Sequence, residues 1–447
     1  MGINKMAKYR IGKGMRVFLI VWFGQTVSVI GSGLTGFALD IWIYQRTGSV
    51  TQFALAFLFS QLPPILISPF AGALVDRWNR RYCMILSDLG AGLSTVTIAL
   101  LLFTGHLQIW HVYIATTLSS VFSTLQWPAY SASIPMLVPK EQLNRANGLT
   151  ELSESLTMLL PPVLGGALLV TIQLQGVILI DFVTFLFSVV TLLSVRFPKI
   201  KPDSTEDDSS DTTGEEKSSL LGDLTYGWKY INSRPGLLAL IIFFAASNFI
   251  LAIVSVLITP LVLSFTSPAT LGLILTIDGV GMLVGTLVIS TRKGPTRQIY
   301  TILGFQMLGG LCILVTGLRT SIPLVAVAAF LFAFGSPMIN CSSQVIWQRK
   351  VPQEIQGRVF AVERMIISSL QPIAYIASGL LADRVFEPLM AANGLLAGSI
   401  GQIIGVGKGR GIGLLFMIMG VVSILISVIA FQYPRLRFLE DELLDQI

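Results

Sequence analysis

Apolar runs of twenty or more residues, separated by short polar or charged breaks, dominate this chain. Crossing the hydrocarbon core of a bilayer takes about 20 residues of helix. Twelve runs are of roughly that length or longer, at approximately 17–44, 51–75, 83–104, 107–134, 149–172, 175–195, 236–264, 268–290, 298–318, 321–346, 357–382 and 410–433. Lipid offers no water to backbone N–H and C=O groups, so each run must close its own hydrogen bonds as a helix. The pattern predicts an all-α polytopic membrane protein with twelve transmembrane helices. The basic arm MGINKMAKYRIGKGMR precedes the first run as it would in a signal peptide. That run is too long for a signal and lacks a small-residue cleavage pattern, so it is read as span 1.

The rhythm breaks once, at KPDSTEDDSSDTTGEEKSS, residues 201–219. A stretch so polar cannot bury enough apolar surface to fold by itself. It divides the chain into a six-helix bundle over 1–197, an acidic linker with an amphipathic helix over 198–235, and a second six-helix bundle over 236–447. In LLGDLTYGWKYI, Leu220, Leu221, Leu224 and Trp228 fall near one helical face, as expected of a helix lying along a membrane surface. The halves repeat. VPKEQLNRA from Val138 and VPQEIQGRV from Val351 share Val, Pro, Glu and Arg at a shift of 213, each between the fourth and fifth span of its half.

Composition agrees with lipid as the solvent: 53% of residues are hydrophobic and 12% charged, about half the charged fraction of soluble domains. The net charge of +6 is a matter of topology. With the N-terminus in the cytoplasm, the outer loops hold only Arg46, Arg319, Arg384, Lys408 and Arg410 of the 30 Lys and Arg, the positive-inside signature. Both termini are therefore expected to be cytoplasmic, with the protein in the plasma or inner membrane and no nucleic-acid partner. Cys83, Cys312 and Cys341 are far apart and give no disulfide or metal spacing. His106 and His111 lie at a loop edge without nearby carboxylates, so neither metal nor cofactor is expected. A monomer is expected.

GALVDRWNRR, residues 72–81, sets four charges between two apolar runs. Gly72, Asp76, Arg77, Arg80 and Arg81 resemble the G-x-x-x-D-R-x-x-R-R/K loop of the major facilitator superfamily, placed as in that family between spans 2 and 3. DRWNRR, SDL at 87–89, WPAYSASIPMLVPKEQL at 127–143 and LADR at 381–384 look like the branch of macrolide-efflux proteins and siderophore exporters. The resemblance implies two pseudo-symmetric six-helix bundles, the major facilitator fold, and a loop acting as a conformational latch. In it Asp76 sits against the positive end of a helix such as span 11, and the arginines pair with acids such as Glu151, Glu154 and Glu363. Three arginines also enforce topology by themselves.

Antiporters of that superfamily carry G-x8-G-x3-G-P-x2-G-G on span 5. Here the register gives Gly148, Pro162, Gly165 and Gly166 as matches, with Thr157 and Pro161 departing. The partial match favours export, and the bland alternative is a Pro-kinked helix packed on small neighbours. GVGKGRG at 405–411 lacks the first glycine and the hydroxyl of a P-loop, which leaves ion coupling over ATP hydrolysis. Coupling needs a carboxylate that gains and loses a proton inside the membrane. Placement ranks Asp278, mid-span 8, first and Asp40 second. Asp88 reads better as a partner of the arginine latch, and Asp181 as a hydrogen-bonding group between helices.

By the same resemblance spans 1, 4, 7 and 10 line a central cavity, offering Trp22, Gln25, Gln126, Trp127, Asn248, Phe249, Phe334, Asn340 and Gln344. Aromatic surface with scattered amides suits a bulky amphiphile better than a sugar, although any one ring could equally pack helices. The expected function is proton-coupled export of a hydrophobic or amphipathic small molecule, with the lipid bilayer as surroundings. A proton-linked nutrient importer is the alternative. A membrane-embedded enzyme is a third, for which H-E-x-x-H and G-x-S-x-G motifs are missing. The apolar outer loop 385–409 could re-enter the membrane.

Overall fold

The computed structural model describes residues 2–78, 80–139, 142–195, 220–291 and 297–442, with the side chains of 2–13, 69–70, 72–77, 144, 220–224 and 441–442 excepted. The acidic linker 201–219 and the side chains of Asp76, Arg77, Leu220, Leu221 and Leu224 lie outside the described residues, and of Gly72 only the helical backbone is described.

Helices account for all regular structure among the described residues. The first six are α1 (Gly2–Thr47), α2 (Val50–Arg77), α3 (Arg80–Phe103), α4 (Ile109–Leu137), α5 (Leu143–Thr171) and α6 (Gln173–Ser194). After the linker come α7 (Leu220–Asn232), α8 (Pro235–Leu263), α9 (Pro268–Thr291), α10 (Gln298–Leu318), α11 (Ile322–Lys350), α12 (Gln356–Ser369) and α13 (Gln371–Leu381). Short helices α14 (Glu387–Leu389) and α15 (Ile400–Ile404) precede α16 (Arg410–Gln432), α17 (Pro434–Arg437) and α18 (Leu439–Glu442). Eleven helical stretches among the described residues are long and apolar enough to cross a membrane. The twelfth long helix, α4, has 29 residues, and its TTLSSVFSTLQ segment dilutes its hydropathy. Span 11 is α12 and α13 in series with a π-helical turn over Ala382–Phe386. The break at Leu370 precedes Pro372, which has no N–H to continue the ladder.

The repeat seen in the sequence recurs in the helix bounds. A shift of 213 carries α4, 109–137, onto α11, 322–350, and the start of α5 at 143 onto the start of α12 at 356. Val138 and Val351 end α4 and α11 alike, in extended conformation with N–H groups donated to Ile134 and Trp347 carbonyls.

Two compact units result, Met1–Ser204 with Thr266–Thr276, and Thr205–Phe265 with Ile277–Ile447. In the first, α1 packs on α5 and α6 while α4 packs on α2 and α3. Its apolar core includes Phe18, Val21 and Met84 near one end and Leu34, Ile98 and Ile178 near the other. The start of α9, up to Thr276, belongs to this unit and crosses α5 backbone to backbone. A Cβ on Gly272 would stand 2.2 Å from the Pro162 carbonyl oxygen, and one on Gly166 2.6 Å from that of Pro268.

In the second unit Gly281 and Gly285, one turn apart, seat α9 against the Phe330 and Phe334 carbonyls of α11. Helix α7 buries Gly227 against Arg358 and Val362 of α12, places Ile231 in the core and leaves Trp228 exposed. The 385–409 loop folds on itself: Gly407 N–H donates to the Met390 carbonyl at 3.0 Å, and Met390, Ile404 and Leu414 form a small core. Glu387 anchors it by accepting from the Gly409 and Ile412 N–H groups, both at 3.1 Å, at the start of α16. The last helices fold back likewise. Glu440 accepts from the first N–H groups of α10, Gln298 at 3.0 Å and Ile299 at 3.3 Å, while the buried Lys350 ammonium donates to the Glu440 carbonyl at 2.7 Å.

Candidate functional site

Three helices of the first unit carry paired polar residues seven apart: Gln25 and Ser32 on α1, Asp88 and Thr95 on α3, Asp181 and Ser188 on α6. Seven residues is close to two turns, about 10.5 Å, so both members of each pair share one helical face. The result is two buried polar layers. In one, Gln25 Nε2 donates to Asp88 Oδ2 at 2.9 Å and to Ser188 Oγ at 2.8 Å, and Ser188 Oγ donates to Asp88 Oδ2 at 3.0 Å. In the other, Asp181 accepts from Ser32 Oγ and Thr95 Oγ1, each at 3.0 Å. Both carboxylates are buried, Asp181 at 1% exposure and Asp88 at 4%. Polar groups buried this deeply are hydrogen-bonded because an unmet donor or acceptor there is costly. Among the described residues the Asp88 partners are amides and a hydroxyl.

The Asp88 layer opens on a cavity. Gln126 of α4 donates through Nε2 to Asp88 Oδ1 and, at 2.5 Å, to Gln25 Oε1. Gln25 and Gln126 both line a space of about 450 Å³ together with Trp127, Tyr130, Glu154 and Met158. The rings of Trp127 and Tyr130 lie 6.2 Å apart between centroids. Thr26, Thr150, Ser153 and Thr157 also line it, with their hydroxyls donated to carbonyls one turn earlier on their own helices. Helix α5 contributes Thr150, Ser153, Glu154, Thr157 and Met158, so that Glu154, expected on the latch, lines the cavity. Trp22 is not among the lining residues. Its indole donates to the Leu149 carbonyl at 2.7 Å and ties α1 to α5.

The second unit has a smaller cavity of about 120 Å³, lined by Asn248 and Asn340 with Phe244, Phe305, Gln306 and Ser336. Asn248 Nδ2 donates to its own helix at Phe244, 2.9 Å. Phe249, Phe334 and Gln344 do not line that space. Phe334 stacks on Phe330 instead, at 6.5 Å. Asp40 and Asp278, both partly buried, have no hydrogen-bond partner among the described residues. Glu363 is partly buried on α12, and Glu151 is exposed one turn before Glu154.

The described arginines of the 72–81 motif rest on carbonyls. Arg80 Nη1 donates to the Ala132 oxygen of α4 at 2.6 Å and contacts Met136 Sδ at 2.9 Å. Arg81 reaches the last turn of α6, Leu192 O at 3.3 Å and Leu193 O at 3.0 Å. Those α6 carbonyls lack helical donors, and a cation there also opposes the negative end of the helix dipole.

The family model of the Major Facilitator Superfamily matches residues 21–374. The chain belongs to that superfamily. Macrolide efflux protein A of Streptococcus pyogenes is 25% identical over 372 residues, 82% of this chain and 90% of the relative. The multidrug efflux pump Tap of Mycolicibacterium fortuitum is 23% identical over 433 residues, 94% and 97% of the two chains. Among solved structures, a bacterial homologue of the human lysosomal transporter Spinster matches with a TM-score of 0.65 at 15% identity over 96% of this chain and 98% of that one. A bacterial homologue of the iron transporter ferroportin matches with a TM-score of 0.61 at 15% identity, covering 93% and 98%. These likenesses establish the fold.

This facilitator is a multi-pass membrane transporter of small molecules, and its family decides against a membrane-embedded enzyme. Of the nine cavity residues expected from sequence, the structure brings Gln25, Gln126 and Trp127 together in one cavity and Asn248 and Asn340 in the other. It adds Tyr130, Thr150, Ser153 and Thr157. The α5 members lie in TELSESLT, residues 150–157, a polar break in an apolar span that marks the segment without choosing the face. Ser188 carried no such signal.

Proposed function

We propose that this facilitator is a proton-coupled antiporter of the bacterial plasma membrane that exports hydrophobic or amphipathic small molecules by alternating access. The cavity of the first unit carries the reading. Its volume of about 450 Å³ falls within the range of small-molecule sites, and its aromatic and thioether walls with scattered polar groups suit an amphiphile. The efflux relatives support the direction. The Lys and Arg distribution supports cytoplasmic termini and a cytoplasmic 72–81 loop. On that orientation Arg80 and Arg81 hold the cytoplasmic ends of α3, α4 and α6 together, contacts that a gate would form and release.

A proton carrier must change protonation within each cycle. Asp88 and Asp181 are committed to buried donors, whereas Asp278 and Asp40 have none among the described residues and can exchange a proton without dismantling a network. Asp278 is therefore proposed as the carrier, with Asp40 next.

Everted vesicles test this. An acid-inside gradient should drive uptake of an amphiphilic dye, a protonophore should abolish it, and Asp278→Asn should uncouple it. No uptake of any compound in an amphiphile panel, or gradient-driven uptake undiminished in Asp278→Asn, refutes the proposal. A nutrient importer is separated by drug susceptibility, since only an exporter confers resistance.

A further inference from the structure

The two buried polar layers of the first unit differ in the kind of donor each presents to its carboxylate. Around Asp88 the partners include the Gln25 and Gln126 amide nitrogens, and an amide N–H only donates, so it cannot bind a cation. Around Asp181 the side-chain partners are hydroxyls. Ser32 of α1 meets Oδ1 and Thr95 of α3 meets Oδ2, each at 3.0 Å. A hydroxyl carries two lone pairs besides its proton, so it can donate to a carboxylate or, by swinging that proton aside, lend its oxygen to a cation.

Thr35 supplies a second observation. Three residues beyond Ser32, it shares that face of α1, and its hydroxyl lies beside the Asp181 carboxylate. Thr26, Thr150 and Thr157 turn their hydroxyls back to carbonyls of their own helices. Thr35 does not: at 6% exposure, its Oγ1 has no hydrogen-bond partner among the described residues. A buried hydroxyl left in that condition is destabilising unless its oxygen serves something else. Charge is unanswered as well. Hydrogen bonds do not neutralise an ionised carboxylate in a low dielectric, and no Lys, Arg or His among the described residues acts on Asp181. Helix α1 runs close to α6 here, a Cβ on Gly31 standing only 3.3 Å from Asp181 Cα, so side chains this short can meet.

We propose that Asp181, Ser32, Thr35 and Thr95 form a buried binding site for a sodium ion, which ties α1, α3 and α6 together. A single carboxylate balances a monovalent ion. Two carboxylate and three hydroxyl oxygens fall short of the roughly six to eight that calcium takes. Oxygens already 3.0 Å apart suit an ion with bonds of about 2.4 Å, close to those of calcium, whereas the wider potassium ion would push them apart. The site is independent of which acid carries the proton, because Asp181 has no part in the proposed coupling.

The test uses the full chain in nanodiscs, with choline chloride holding ionic strength constant. Wild type should bind radioactive sodium saturably, displaced by unlabelled sodium and poorly by potassium, and its unfolding midpoint should climb with sodium, as a ligand of the native state raises it. Asp181→Asn should abolish both effects. Thr35→Val keeps the shape and removes the hydroxyl, so its sodium Kd should rise roughly tenfold. In choline alone the same variant should unfold no earlier than wild type, since an unmet buried hydroxyl has gone, and that combination excludes misfolding as the cause. A midpoint that follows pH and ignores sodium would identify Asp181 as a neutral acid and overturn the proposal. Sodium binding retained in Asp181→Asn, or unaltered in Thr35→Val, overturns it too.

Discussion

Replacing Gly272 by alanine tests whether the α5–α9 crossing needs bare backbone. The added Cβ would lie 2.2 Å from the Pro162 oxygen and 3.1 Å from its carbonyl carbon, with Gly166 Cα at 3.6 Å. Ordinary contacts begin near 3.4 Å, so α9 must retreat by about 1 Å, enough to forfeit a quarter to a half of the dispersion energy across the crossing. The obstructing atom is backbone, one turn from Gly166, and cannot rotate away. Overpacking of this kind costs about 1–3 kcal/mol, set against about 0.5–1 kcal/mol gained when alanine replaces glycine in a helix. Gly148 and Gly304 supply the comparison, since a Cβ on either meets open space within 4 Å. Thermal unfolding of the purified protein in detergent should show Gly272→Ala destabilised, and Gly148→Ala and Gly304→Ala level or slightly stabilised. Transport by Gly272→Ala should fall as the crossing loosens. If Gly272→Ala unfolds where Gly148→Ala does and transports normally, the close approach contributes nothing and the reasoning fails.

Other outcomes follow from the buried networks. Asp181→Ala should cost about 1–3 kcal/mol by leaving the Ser32 and Thr95 hydroxyls without their acceptor, and a double-mutant cycle with Ser32→Ala should show coupling; additive losses would contradict the contact. Glu440→Ala should cost about 0.5–2 kcal/mol by uncapping α10, with Glu440→Gln retaining part of it, as measured by unfolding; no change would mean the cap is idle. Arg81→Ala should weaken the end of α6 more than Arg81→Lys, because one ammonium cannot span two carbonyls as a guanidinium does; hydrogen exchange in the last turn of α6 reads the difference.

The spans were legible because hydrocarbon thickness translates directly into run length, and the one blurred case, α4, is the helix whose Ser and Thr dilute its pattern. The VPxE repeat likewise foretold real helix ends, since both α4 and α11 stop at Val-Pro. Partnerships were not legible. Asp88 finds Ser188 across 100 residues of sequence, and only the packing of α3 on α6 decides that. Individual aromatics were ambiguous for the same reason: Trp22 and Trp127 look alike in an apolar run, yet one ties α1 to α5 and the other lines the cavity.

The contact between Glu440 and the start of α10 spans 142 residues of chain. A ribosome working from the N-terminus releases α10 long before the carboxylate that closes its first turn, and Lys350 waits likewise for the Glu440 carbonyl. The first half can mature while translation continues, as domains generally do in order of synthesis. The second half remains unfinished until Glu440 has been made, so a chain stalled or stopped before that residue would leave the translocon with helices inserted but unsealed, open to quality-control proteases.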